Sequence, residues 1–106
     1  MPACILIIED NPENLELMRY ILEMHGHRII PAETGEDGLI AMREQLPDLV
    51  ICDIQLPGLN GYDFIEVVKN DTALCSIPVI AVTAYAMVGD REKILAAGFD
   101  SYIPNR

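Results

Sequence analysis

Three short apolar runs restrict the fold more than any other feature of this chain. They span residues 3–8, 49–52 and 79–82, and none alternates with polar residues. A strand with one wet face reads as alternation, whereas an unbroken run needs apolar cover on both faces, as in a parallel sheet. Residues 28–32 and 101–103 are weaker strand candidates. Helical patterns lie between the runs. Asn11-Pro12-Glu13 offers an N-cap, a proline at the first helical position and an acid in the first turn. Leu15, Met18, Leu22 and His25 then follow a three-to-four spacing, and Gly26 is placed to stop that helix. A second helix starts near Thr34 with Leu39, Met42 and Leu46 on its stripe, and Pro47 ends it. A third starts at Asn60-Gly61 and places Phe64, Val67 and Val68 on one face. A fourth covers residues 90–97, with Gly98 as its stop. Strands and helices therefore alternate from β to β, which predicts an α/β parallel sheet with helices on both faces and right-handed crossovers.

Composition narrows the class. A chain of 106 residues, 51% of them apolar, fits one domain with a real core. No apolar run approaches the roughly 20 residues that span a bilayer. The first residues lack a basic region ahead of an apolar stretch, so no secretory signal is expected. A net charge of −10 argues against binding nucleic acid through a basic surface. The three cysteines, Cys4, Cys52 and Cys75, form no Cys-x-x-Cys. Cys4 and Cys52 sit in apolar runs and act as small hydrophobes, which suits a reducing, cytoplasmic setting.

Ligands of open parallel sheets bind beyond the carboxyl ends of the strands. Glu9-Asp10 follows the first run, Asp53 the third and Thr83-Ala84 the fourth. Three carboxylates then meet on one edge of the sheet. Close like charges repel, so either one takes up a proton or a cation sits among them. Carboxylate oxygens with water suit Mg²⁺. A carboxylate beside such an ion is also a nucleophile able to form an aspartyl phosphate. Any one of these acids alone reads as a solvated loop residue, and Thr83 alone as an ordinary strand residue. The set at the strand ends carries the argument.

The stretches Ile8-Glu9-Asp10-Asn11-Pro12, 47–61, 77–84 and 98–103 together resemble the receiver domain of two-component response regulators, along essentially the whole chain. The resemblance implies a flavodoxin-like doubly wound sheet of five strands in the order 2-1-3-4-5, an order taken from that fold pattern and not from these residues. It implies Asp53 as phosphoacceptor and Asp10 as direct metal ligand, with Glu9 acting largely through water. The backbone carbonyl of Gln55 becomes a further ligand, Thr83 the switch hydroxyl and Tyr102 the switch aromatic. Gln55 and Tyr85 match positions that tune the lifetime of the phosphoryl group, and Met87 matches a partner-facing surface. The implied cofactor is Mg²⁺. The implied partners are a histidine kinase or histidine phosphotransfer protein and a downstream protein, with no nucleic acid and no membrane. The implied role is a regulatory phosphoacceptor and not an enzyme.

Two positions depart from the family. Asn105 and Arg106 stand where a lysine and a proline are usual, and Asn105 donates a hydrogen bond without a charge. The sequence also stops before the family's fifth helix, so residues 1–106 read as a receiver domain short at its C-terminal end. Either the chain self-associates as a homodimer through the face so left open, or it is a truncated form of a longer one. Both departures favour a rival reading, a degenerate receiver that acts as an interaction module without phosphorylation. A haloacid-dehalogenase-like phosphatase also uses an Asp nucleophile, but Asp53-Ile54-Gln55 lacks its second Asp. A flavin or nucleotide binder needs a loop rich in Gly, Ser or Thr, and Glu9-Asp10-Asn11-Pro12 would repel phosphate.

Overall fold

Apolar strands covered on both faces need two layers of helix, and the molecule supplies them. The computed structural model describes residues 2–83 and 88–104. In chain order the elements are β1 (Cys4–Ile8), α1 (Pro12–Met24), β2 (Arg28–Ala32), α2 (Gly35–Gln45) and β3 (Leu49–Asp53). There follow α3 (Gly61–Lys69), β4 (Val79–Thr83), α4 (Val88–Ala97) and β5 (Ser101–Pro104). All five strands are parallel, in the order β2-β1-β3-β4-β5. The expected flavodoxin-like topology is therefore present.

The unbroken runs follow from this layering. Ile5 and Ile7 of β1 join Ile51 and Val82 in a cluster against Leu15, Met18 and Leu22 of α1. Leu6 and Ile8 face the other way, into a larger core with Met42 of α2, Phe64 of α3 and Ile94 of α4. Successive residues of β1 thus find apolar cover on alternate sides.

Local chemistry sets the helix ends. The Asn11 Oδ1 accepts from the amides of Glu13 at 2.9 Å and Asn14 at 3.1 Å, which caps α1 with Pro12 at its first position. Gly26 takes φ +87° just beyond it. Some boundaries differ from the sequence reading. His25 caps α1 and is exposed instead of lying on its apolar stripe. Leu46 leaves α2 at φ 44° and points to solvent, because the chain must turn before Pro47. β3 and β4 each run one residue further, to Asp53 and Thr83, and α4 begins at Val88.

The amino ends of two strands are tied down by aspartates. Asp48 accepts from the Cys4 amide at 2.8 Å, and Asp100 accepts from the Val79 amide at 2.8 Å. Among the described residues no helix is long and apolar enough to cross a membrane.

Candidate functional site

Register brings the acids together. Ile8 of β1 pairs with Cys52 of β3, so Glu9 and Asp53, one residue further on, emerge side by side at the carboxyl edge of the sheet. Asp10 follows Glu9 into the loop before α1. One carboxylate oxygen from each of Glu9, Asp10 and Asp53 lies within 4.8 Å of the other two. The three sequence-predicted carboxylates thus converge.

Their environments differ. Asp10 is exposed and Asp53 half-buried, whereas Glu9 is only 1% exposed. Glu9 Oε2 accepts a long bond from the Asn11 amide at 3.5 Å, and Glu9 Oε1 is buried with no hydrogen-bond partner among the described residues. Burial first, and then the hydrogen bond to and charge of Asp53, raise the Glu9 carboxyl to about 7. A buried carboxylate oxygen without a donor among the described residues, beside two more carboxylates, favours a proton or a bound cation at that point. The donor set is all oxygen, which fits a hard divalent ion. Such an ion would offset the charge of the cluster.

The loop after β3 holds Asp53 in place. The Gln55 amide donates to Asp53 Oδ1 at 2.9 Å, and the Gly61 amide donates to the Ile54 carbonyl at 3.0 Å. Gly61 packs so tightly there that a Cβ would sit 2.6 Å from Ile54 Cα. Gly61 thus starts α3 and also lets the backbone of the loop after β3 approach closely. Gly58 has φ +69°, a conformation that favours glycine. Cys52 lies within the core beside the acids, where burial and then the charges of Asp53 and Glu9 push its thiol well above the ordinary range. It is no nucleophile at neutral pH.

Thr83 is 4% exposed and ends β4, next to the β3 edge that carries Asp53. Tyr102 is half-buried on β5, opposite Ala81, and packs against the main core. Tyr85, Met87 and Asn105 lie outside the described residues. The burial of Glu9 was legible in principle. It continues an apolar run whose members are covered on both faces.

Comparison with known proteins places these features. The model of the response regulator receiver domain matches residues 5–105, and the chain belongs to that family. It is 44% identical to the polar-differentiation response regulator DivK of Brucella anthropi over 103 residues, 97% of this chain and 84% of the relative. Among solved structures, the receiver domain of a sensor histidine kinase from Pseudomonas aeruginosa superposes with a TM-score of 0.90 at 31% identity. That match covers 99% of this chain and 86% of that one, and the structure has a magnesium ion coordinated in its active site cleft. The N-terminal domain of a response regulator receiver protein from Methanoculleus marisnigri gives 0.90 at 31% identity, covering 98% and 85%. A Vibrio cholerae chemotaxis response regulator, at 18% identity and 0.93 over 99% and 88%, shares the fold.

Proposed function

We propose that residues 1–106 act as a phosphorylation-dependent signalling switch in the cytoplasm, with Asp53 as phosphoacceptor. The observation that carries this reading is the carboxylate trio of Glu9, Asp10 and Asp53 around a buried Glu9 oxygen that has no donor among the described residues. Asp10, Asp53 and the Gln55 backbone carbonyl would hold Mg²⁺, with Glu9 acting largely through water. When bound, the ion supplies positive charge against the oxygens of the incoming phosphoryl group. An Asp53 carboxylate oxygen attacks the phosphorus of a phosphohistidine on a kinase or phosphotransfer protein. A P–O bond forms, the P–N bond breaks, and the freed imidazole nitrogen keeps its electron pair. The Gln55 amide keeps the other Asp53 oxygen in place during the attack. Thr83 then turns its hydroxyl toward the phosphoryl oxygens, and Tyr102 follows into the space left. Those two movements make a two-state element biased by local charge, read by a downstream protein. Self-phosphorylation and self-dephosphorylation are the only chemistry in this role.

The test is incubation with acetyl phosphate and Mg²⁺ followed by intact mass. The expected result is a gain of one phosphoryl group that disappears in Asp53→Ala. A wild-type mass that never changes favours the phosphorylation-independent interaction module.

A homodimer rests on a second observation. On the α1 side of the sheet, Leu17, Ile21 and Ile103 are 59%, 46% and 48% exposed around an apolar groove of about 260 Å³. Contiguous apolar surface of this kind marks contact sites. Sedimentation should show concentration-dependent association that Ile21→Glu abolishes, and a single monomer boundary at all concentrations removes the dimer.

A further inference from the structure

We propose that Lys93, on the second turn of α4, is the cation that meets the phosphoryl group once Asp53 carries it. A phosphoryl group brings close to two negative charges and strong acceptor oxygens. It arrives among three carboxylates. A divalent ion offsets part of that charge, and a fixed side-chain cation offsets more.

The described cations are mostly engaged elsewhere. Arg19 pairs with Glu16 and Glu23 on α1, Arg43 with Asp71, and Lys69 with Asp100. Arg28 donates to Gln45. Lys93 is placed differently. It lines a cavity of about 340 Å³ together with Gln55, Thr83, Tyr62 and Asp90, and among the described residues it is the one cation on that lining. Gln55 holds Asp53 Oδ1 through its amide, and Thr83 ends the neighbouring strand. The cavity therefore begins at the two residues that flank the phosphoacceptor and ends at an ammonium.

In the unphosphorylated state the Lys93 Nζ rests 4.9 Å from the centre of the Tyr62 ring. That ring is itself fixed by an edge contact to Phe99, with centroids 6.2 Å apart. A cation over a ring face is held by a weaker attraction than a charge-assisted bond to phosphate oxygen. The lysine is exposed and long, so it exchanges one partner for the other without moving α4. Asp90 on the same wall opposes the arriving anion, and its repulsion is what the ammonium must overcome. Tyr62 is then the parking place of the cation, and its ring reports when the cation leaves.

This proposal rests on Asp53 being phosphorylated, and the experiment separates the two. Wild type, Lys93→Gln and Lys93→Arg are incubated with acetyl phosphate and Mg²⁺. Intact mass follows the gain with time, and aromatic NMR follows the Tyr62 ring. Expected is a gain about tenfold slower in Lys93→Gln, with most of the rate restored in Lys93→Arg. In wild type the Tyr62 ring resonances shift on phosphorylation, and in Lys93→Gln they do not. Wild type that takes no phosphoryl group overturns both the reading and the proposal. Wild type that takes it, with Lys93→Gln equal in rate and the Tyr62 ring unmoved, overturns the proposal alone.

Discussion

In metal-free buffer the protein should become less stable as pH rises from about 5 to 8, against the trend set by ordinary surface carboxylates. The cause is Glu9. Its carboxyl is raised to about 7 in the fold, from 4.5 in the unfolded chain. Between those values the folded state keeps a proton that the unfolded state has released, so stability falls with pH across that window. Below it both states are protonated and nothing changes. Above it the loss is complete, at roughly 3 kcal/mol for a shift of this size. Glu9→Gln keeps the shape and removes the charge, so its stability should be nearly flat over the same range. At pH 8 it should melt above the metal-free wild type.

Mg²⁺ should reverse the order. A ligand at a hundredfold excess over its dissociation constant adds about 2.7 kcal/mol to the folded state. The ion competes with the proton for Glu9, so the gain should be large at pH 8 and small at pH 5.5. Chemical denaturation at four pH values, with and without Mg²⁺, decides the matter. Parallel curves for wild type and Glu9→Gln would rule out Glu9 as the source of strain.

Gly61→Ala should destabilise the domain by roughly 1–3 kcal/mol and slow phosphorylation as well. The new Cβ would meet Ile54 Cα at 2.6 Å and the Asp53 carbonyl at 3.0 Å, both backbone atoms that have nowhere to retreat. Alanine is the better helix former, but that gain is at most about 1 kcal/mol and the clash outweighs it. Relief comes by shifting residues 53–55, the segment whose amide fixes the Asp53 carboxylate. Gly26→Ala is the control. Its φ of +87° strains an alanine, yet nothing lies within 4 Å and the site is remote. It should cost a comparable or smaller amount of stability and leave phosphorylation unchanged. Melting curves and the acetyl phosphate reaction measure both effects. A Gly61→Ala protein phosphorylated at the wild-type rate would refute the link between the loop and the nucleophile.

Much of the fold was legible because its signals are local. Apolar runs without alternation at residues 3–8, 49–52 and 79–82 state that both faces are covered, and Asn11-Pro12 marks a helix start by capping chemistry. Placing Asp53 at a strand end followed from the third run alone. What stayed hidden depends on contacts between distant segments. Leu46 sits at a helical spacing from Leu39 and Met42, yet the turn into Pro47 swings it to solvent. That Glu9 and Asp53 are neighbours shows only once β1 and β3 are in register. Lys93 looks like one more charge on a solvated helix face, and only the packing of α4 beside Thr83 and Gln55 gives it a neighbourhood. The strand order itself came from the fold pattern, because five apolar strands carry no label of their neighbours.

The direction of a parallel sheet decides what an acid on its rim can do. At the rim where strands begin, unpaired amides point outward, and Asp48 and Asp100 bind them and become fasteners. At the opposite rim the backbone offers carbonyl oxygens, which give a carboxylate nothing to accept. There the loop amides of Gln55 and Asn11 reach one oxygen each of Asp53 and Glu9, and the buried Glu9 Oε1 has no donor among the described residues. One residue type thus serves as a rivet on one side of the molecule and as an open hand on the other.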